Sequence, residues 1–540
     1  MGEKRLRVFV PLVLALVAAL PALGNTITVT NTSDSGPGSL RAAIAAASPG
    51  DTIDFGLTYP ATITLASTLD IGTDLAISGP GASNLAISGN NAVGVFHVSS
   101  GVAVSISGVT IENGTAFYGA GIYNTGGRVT LATSTVSGNS ATYYGGGIYN
   151  YGGTVTLATS TVSGNSAAYY GGGIYDFDGT LTLTNSTVSG NSAAYNYGGG
   201  IYNFSGTVTV TTSTISGNSA GYYGGGVYNY LGALTLTNST VSDNSATYYA
   251  GGIFNYNQAT LTLANSTVSS NSAGYYGGGV YSYYATVILK NTVMANSTGG
   301  NCWATGGTLT SDGFNLSDDT SCVGILTSTT DQNNISAGLD FNGLQDNGGP
   351  TKTIALLSTS PAVDAIPVAD CMLPDGTTPV ATDQRGISRP GGFACDVGAF
   401  ELVGSSSFSS FTAKLDIHAG STLGTTPSGF DLKSVFTLGA GSNGINPLSE
   451  VVKLQVGTYQ ATIPANSFHQ LRKGAKKGSY VFSGVIDGVS LSVQIVPLAG
   501  NSYQFKAEAS RADLTALANP VTLTLTIGDD TGTTSVYAEF

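Results

Sequence analysis

A parallel β-helix built from one repeat per coil is the fold this 540-residue sequence predicts, and three observations predict it. The segment Tyr118-Gly-Ala-Gly-Ile-Tyr-Asn124 returns from Tyr144, Tyr170, Tyr197, Tyr223, Tyr249 and Tyr276, at intervals of 26 or 27 residues. Each repeat holds short strand-like pieces separated by Gly, Asn and Ser turns, with no helical periodicity. Charged residues make up 9% of the chain, against roughly 25% in an ordinary soluble domain.

At the start, Lys4, Arg5 and Arg7 precede an apolar run ending in Ala22-Leu23-Gly24. A basic segment, a short apolar stretch and small residues make a secretory signal peptide over residues 1–24, with cleavage expected before Asn25. No later stretch reads as transmembrane, so the mature chain is expected to be secreted or held at the cell surface. From Ser39 to Ala47 runs the clearest helical pattern of the first half, a short amphipathic helix suited to cover the open end of a solenoid. It belongs to an expected N-terminal cap over residues 25–56. Degenerate coils follow, as Leu75-Ala-Ile-Ser78 and Leu85-Ala-Ile-Ser88 show.

In the regular repeats, a second motif, Thr135-Val-Ser-Gly-Asn-Ser-Ala141, recurs from Thr161, Thr187, Thr214, Thr240 and Thr267. A repeat this small cannot bury its apolar face alone, so neighbours must stack, here in three parallel sheets. Propeller blades need roughly 40–50 residues each, and no leucine-rich pattern appears. Stacking turns each position into a column. Ile148, Ile174, Ile201, Val227, Ile253 and Val280 are expected inside, as are Val162, Val188, Ile215, Val241 and Val268. Asn139, Asn165, Asn191, Asn218, Asn244 and Asn271 are expected to bond through their side chains up the stack. A charge repeated at every ~4.8 Å rung would repel its copies, which accounts for the low charge. Partition supports this: residues 25–403 hold 6 basic and 21 acidic residues, residues 404–540 hold 9 of each.

The four cysteines, Cys302, Cys322, Cys371 and Cys395, suit an oxidising compartment. Three pairings exist, and the sequence-local one, 302–322 with 371–395, is favoured. None has His at metal-ligand spacing, so neither a metal nor a cofactor is expected. A net charge of −13 argues against a nucleic-acid partner, because phosphate neutralisation needs clustered Lys and Arg. After residue 403, alternating runs such as Val452–Val456, Leu491–Val496 and Val521–Thr526 predict a β-sandwich over residues 404–540.

The motifs also carry a resemblance. Asn25-Thr-Ile-Thr-Val-Thr-Asn31, Gly38-Ser-Leu-Arg-Ala-Ala-Ile44 and Gly50-Asp-Thr-Ile-Asp-Phe55 resemble the opening of bacterial right-handed parallel β-helix surface proteins. The Gly-Gly-Gly-Ile-Tyr-Asn units resemble repeats of the polymorphic outer-membrane protein and adhesin group. Asn347-Gly-Gly-Pro-Thr-Lys-Thr353, Ser360-Pro-Ala-Val-Asp364, Thr382-Asp-Gln-Arg-Gly386 and Cys395-Asp-Val-Gly-Ala-Phe-Glu401 resemble the closing region of choice-of-anchor Q proteins, here residues 301–403. The resemblance implies a right-handed, pectin-lyase-like solenoid, exported, usually without assigned catalytic residues. No Leu-Pro-x-Thr-Gly sorting signal follows, which leaves the mode of attachment open.

Polysaccharide lyases and hydrolases share such folds, so an enzyme is the alternative. Hydrolases need paired carboxylates, yet from Gly119 to Thr298 the acids are Asp176, Asp178 and Asp243. Asp176 and Asp178 are expected in a solvated turn. Asp312, Asp318, Asp319 and Asp331 are read as a solvated acidic loop rather than a calcium site. Asp383, Arg385, Arg389 and Asp396 are read as an ion-pair network capping the last coils.

Recognition is the expected function. Twenty-four of the 29 tyrosines lie between Tyr118 and Tyr284. If Ile148 points inward, its neighbours point out, giving one aromatic column of Tyr149, Tyr175, Tyr202, Tyr228, Phe254 and Tyr281. A second comprises Tyr151, Phe177, Phe204, Tyr230, Tyr256 and Tyr283. Such columns suit a cell-surface glycan or protein ligand, so a non-catalytic, adhesin-like binding protein is predicted. Thr-x-Thr pairs at Thr154/Thr156, Thr180/Thr182, Thr207/Thr209 and Thr260/Thr262 add a minor alternative, an ice-binding solenoid, although Thr is also an ordinary strand residue.

Overall fold

The computed structural model describes residues 24–403 except 393, and 406–538 except 420–426, 440–441, 443–444, 449, 465, 472–477, 515–516 and 529. The expected signal peptide lies outside them apart from Gly24. Among the described residues no helix is long and apolar enough to cross a membrane.

One coil illustrates the solenoid. Strands Ile148–Tyr151 and Thr154–Ala158 join a twenty-stranded sheet, Thr161–Ser163 a twelve-stranded sheet and Ser166–Ala167 a seven-stranded one. Pairing with the next coil is parallel and in register, Ile148 opposite Ile174 and Val162 opposite Val188. The three expected sheets are therefore present, the largest with two strands per coil. Ile148, Ile174, Ile201, Val227 and Ile253 are fully buried, as are Val162, Val188, Ile215, Val241 and Val268. One continuous apolar core runs from Val29 to Leu326.

The glycine triplets have a steric cause. Gly145, Gly171, Gly198, Gly224 and Gly277 adopt φ between 63° and 69°, the left-handed region that glycine enters without a Cβ clash. Ala250 occupies the same place in its coil, at φ 54°. A Cβ on Gly147 would stand 2.8 Å from the Gly173 carbonyl oxygen one coil on, so no side chain fits there.

Buried amides knit the coils together. Asn218 Oδ1 accepts from the backbone N–H of Asn191 at 3.0 Å and from its Nδ2 at 2.9 Å. Asn218 Nδ2 donates to Asn244 Oδ1 at 2.9 Å and to the Val188 carbonyl at 3.0 Å. The expected ladder thus runs through Asn139, Asn165, Asn191, Asn218, Asn244 and Asn271. Because a buried group left without its partner costs about 1–3 kcal/mol, Asn218→Ala should lower unfolding stability by about 2 kcal/mol. A denaturant midpoint equal to wild type would contradict this role.

Both ends of the solenoid are closed. The helix Leu40–Ala46 begins at Ser39, whose Oγ accepts from the Ala42 N–H at 3.2 Å. It sends Leu40, Ala43 and Ile44 into the core, as its amphipathic pattern predicts. At the other end the Cys302–Cys322 disulfide brings Ile325 and Leu326 onto the same core. The second disulfide joins Cys371 and Cys395, so both sequence-local pairings form.

Three expectations need correction here. Asp318, Asp319 and Asp331 do not form a merely solvated loop. Asp318 accepts from the Asn296 N–H, Asp319 from the Asn301 and Ser321 N–H groups, and Asp331 from the Asn315 and Ser328 N–H groups. Their carboxylates take up backbone donors that the final coil leaves without a strand partner. Asp176 is likewise buried rather than in a solvated turn, whereas Asp178 is exposed. The closing region, finally, does not simply cap the last coils. It lies along the flank of the twelve-stranded sheet. Gln384 bonds to Thr214 and Thr240, Asn238 Nδ2 donates to the Thr382 carbonyl, and the Ala399 N–H donates to Thr267.

Residues 406–536 build two further sheets, of five and six strands, paired antiparallel apart from one short parallel contact. Val452–Val456, Val489–Pro497 and Val521–Ile527 contain the three alternating runs. Their inward residues share one apolar core, the arrangement of a β-sandwich.

Candidate binding face

The aromatic positions fall on one face of the solenoid because the repeat keeps register. Tyr149 pairs with Tyr175, Tyr175 with Tyr202, Tyr202 with Tyr228, Tyr228 with Phe254 and Phe254 with Tyr281. Their rings follow at centroid distances of 5.1, 4.9, 4.9, 5.1 and 5.0 Å. They point away from the solenoid core, as expected, yet are only 4–8% exposed.

Another column covers them. Tyr144, Tyr170, Tyr197, Tyr223 and Tyr249 lean over the face, each against the inner ring one coil on. Tyr144 meets Tyr175 at 5.2 Å, Tyr170 meets Tyr202 at 5.1 Å and Tyr197 meets Tyr228 at 4.8 Å. The six residues Tyr149, Tyr175, Tyr202, Tyr228, Phe254 and Tyr281 are therefore not the open contact row that the sequence predicts, although Tyr228, Phe254 and Tyr281 line a cleft. They are an outer aromatic core. Burial pushes the phenols of Tyr149, Tyr175, Tyr202 and Tyr228 well above the usual tyrosine range.

The second column is more accessible. Tyr151 is 50% exposed, while Phe177, Phe204, Tyr230, Tyr256 and Tyr283 are half-buried. On the opposite side stands an outer ridge that the sequence reading missed: Tyr143, Tyr169, Tyr195, Tyr222, Tyr248 and Tyr275. Five of these are exposed, Tyr195 by 63%. The doubled Tyr at 143/144, 169/170, 222/223, 248/249 and 275/276, spaced by Asn196 at 195/197, is its signal. Between the two sides lies a cleft of about 320 Å³, with Tyr223 and Tyr249 on one wall, Tyr256 and Tyr283 on the other and Phe254 on its floor.

Ring geometry limits what this face can hold. In most adjacent pairs within a column the planes lie within about 20–30° of parallel. In those pairs the rings have their faces against the coils above and below and show edges and phenolic hydroxyls outward; Tyr195, tilted 54° to Tyr169, is an exception. Stacking flat on a sugar is consequently hindered along the face, while hydrogen bonding and edge contacts are open. Arg128 and Lys290, the basic residues between Gly119 and Thr298, stand in neither aromatic column.

At the N-terminal end of the inner column stands His97, paired in register with Tyr123. Its ring stacks on Tyr123 at 5.4 Å, with Nδ1 at 2.8 Å from Asp70 Oδ1 and Nε2 at 3.3 Å from Thr125 Oγ1. A cleft of about 260 Å³ adjoins it. Sequence reading could not find this group, because Asp70, His97 and Thr125 belong to three successive coils. The Thr grid is also in register, Thr156 opposite Thr182 and Thr182 opposite Thr209. No cluster of three or more potential metal-ligating residues occurs among the described residues.

Fold and stacked columns together make this a parallel β-helix protein with an aromatic face. A family model described as "Right handed beta helix region" matches residues 76–241, which adds the hand of the coil. No curated protein matches. A solved PL6-family alginate lyase, AlyGC, aligns with 12% identity over 73% of this chain and 61% of its own, at a TM-score of 0.28. Nothing about activity follows from a likeness that slight.

Proposed function

We propose that this protein is an exported, non-catalytic, adhesin-like binding protein of the choice-of-anchor Q and polymorphic outer-membrane type. Its aromatic face recognises a glycan or protein at or beyond the cell surface. One observation carries this reading: an exposed, repeated row of tyrosine hydroxyls and ring edges. Contiguous aromatic surface of this kind marks interaction sites rather than inert solvent boundary. Two disulfides fit an extracellular setting. With no Lys or Arg in the columns, a neutral, hydroxyl-rich glycan suits the face better than an acidic one.

The experiment is a glycan array probed with the full chain and with a Tyr169→Ala, Tyr195→Ala, Tyr222→Ala variant. Wild type should bind neutral glycans, and the variant should lose about 30-fold in affinity, the counterpart of a ~2 kcal/mol hot spot. Equal binding by both proteins would overturn the assignment of the ridge.

The competing reading, a carbohydrate-active enzyme, is favoured by the Asp70–His97–Thr125 arrangement, since a carboxylate-oriented imidazole is a common general base. Incubation with a panel of polysaccharides should release no new reducing or unsaturated ends. Product formation that disappears in His97→Ala would replace the binding reading with the enzymatic one.

A further inference from the structure

The tyrosine array has chemistry of its own, which does not depend on what the face binds. Along the outer ridge, Tyr222 and Tyr248 stack at 5.0 Å with their planes 20° apart, and Tyr248 and Tyr275 at 5.6 Å and 18°. Tyr143 and Tyr169 stand 5.8 Å apart at 15°. Tyr222 is 41% exposed and Tyr275 56%. Phenols this close, with one edge in water, are arranged for reaction with each other.

We propose that the outer ridge is an oxidative cross-linking site, where a one-electron oxidant of the peroxide-driven haem peroxidase class joins tyrosines of successive coils as dityrosine. Two phenols each lose one electron and one proton. The resulting radicals join through ring carbons ortho to oxygen, and the two ortho hydrogens move to the oxygens to restore both phenols. The two electrons and two protons released reduce one hydrogen peroxide to two waters.

Three features direct oxidation to this place. All four cysteines are in disulfides, so no thiol competes for the radical. Met294 is fully buried and Met372 half-buried, and Trp303 stacks on Tyr276 at 4.4 Å, which connects it to the array. The inner column offers tyrosine-to-tyrosine ring contact from Tyr123 to Tyr228, through which a radical can pass between coils. It does not itself react, because a carbon–carbon bond requires the rings to draw together and swing, and buried rings are held on all sides. Ridge rings are free to move on their water side. Each bond closes a loop one coil long, so it resists fraying of a structure whose coils contact only their neighbours.

The test treats purified full-length protein with horseradish peroxidase and limiting hydrogen peroxide at low protein concentration. Dityrosine fluorescence is read on the monomer fraction, and cross-linked peptides are mapped by mass spectrometry. The expected bonds join residues one repeat apart, Tyr222 with Tyr248 and Tyr248 with Tyr275. A Tyr222→Phe, Tyr248→Phe, Tyr275→Phe variant keeps the stacked rings but removes the phenols, and it should lose these bonds and most of the fluorescence from this half of the ridge. Unfolding the chain in denaturant before oxidation should abolish the one-repeat spacing. Cross-links found only between separate chains, or at random spacing in the folded monomer, would overturn the proposal. So would an unchanged yield in the triple variant.

Discussion

Asp176→Asn should stabilise the solenoid by up to about 4 kcal/mol at pH 8 and by almost nothing at pH 4. A second buried ladder runs beside the first, with Nδ2 of Asn124 donating to Asn150 Oδ1, of Asn203 to Asn229, and of Asn229 to Asn255. Asp176 holds the place of an asparagine in it. Its Oδ1 accepts from Asn150 Nδ2 at 2.6 Å, but a carboxylate has no proton to pass on. Asp176 Oδ2 and Asn203 Oδ1 are left without partners. Both crowd the point where a Cβ on Gly206 would stand, so two acceptor oxygens face each other. Burial, opposed by the Asn150 hydrogen bond and reinforced by the charge of Asp178, pushes the Asp176 carboxyl up to about 7. The native chain therefore holds a proton that the unfolded chain releases near pH 4. Because the native state binds more protons between those values, stability falls as pH rises from about 4 to about 7 and then levels off. Three units at about 1.4 kcal/mol each give the stated size. Asparagine supplies the missing donor at every pH. Denaturant midpoints of both proteins across pH 4–8 provide the measurement. A gain independent of pH, or no gain at pH 8, would refute this account of the site.

The contrast between Asp176 and its neighbours shows what the sequence could convey. Repeat spacing made the columns legible: the Ile and Val columns, the first amide ladder and the outward direction of Tyr149 all follow from period and alternation. Helix placement at Ser39 and the three alternating runs after residue 403 were legible for the same reason, since each depends on local pattern. Burial outside the solenoid core was not. Whether Tyr175 meets water depends on how Tyr144 swings across it from the coil before, a side-chain rotation that no spacing encodes. The flank position of Gln384 was equally hidden, because Thr214 and Thr240 lie more than one hundred residues away in sequence. The acids at Asp318, Asp319 and Asp331 read as solvated because no calcium-loop motif surrounds them. Their partners are backbone N–H groups, which carry no signature in the sequence, together with Ser and Asn side chains such as Asn301, Ser311 and Ser321.

Arg389→Met and Glu401→Gln should each cost the closing region about 3–5 kcal/mol, while the double variant should cost much less than the two together. Arg389 Nη1 meets Glu401 Oε2 at 2.8 Å with both side chains fully buried, and the guanidinium also donates to the Asp396 and Gly398 carbonyls. Glu401 accepts in addition from the Gly391 and Asp396 N–H groups. Alongside, Arg385 pairs with Asp383 at 2.7 Å and lies over the Phe400 ring at 3.5 Å. The expected ion-pair network is met in part: Arg389 pairs with Glu401 rather than with Asp396, whose carboxylate accepts from the Asp364 and Leu402 N–H groups. Burial pushes the Glu401 carboxyl up against the pull of Arg389, and burial with the Glu401 charge pushes Asp396 up to about 7. Removing Arg389 leaves Glu401 buried without its counter-charge. Removing the charge of Glu401 strands an equally buried guanidinium. Removing both leaves neither, so the coupling between the two positions should be large and favourable. Because coils contact only their neighbours, damage should remain local. Amide hydrogen exchange at Gly391–Leu402 should accelerate in each single variant, while the core strands near Val129 and Val155, remote from the closing segment, stay protected. Additive losses in the double variant would mean that the two side chains act separately. Exchange that accelerates equally around Val129 would mean that the closing region is part of the solenoid's cooperative unit rather than a segment laid along its flank.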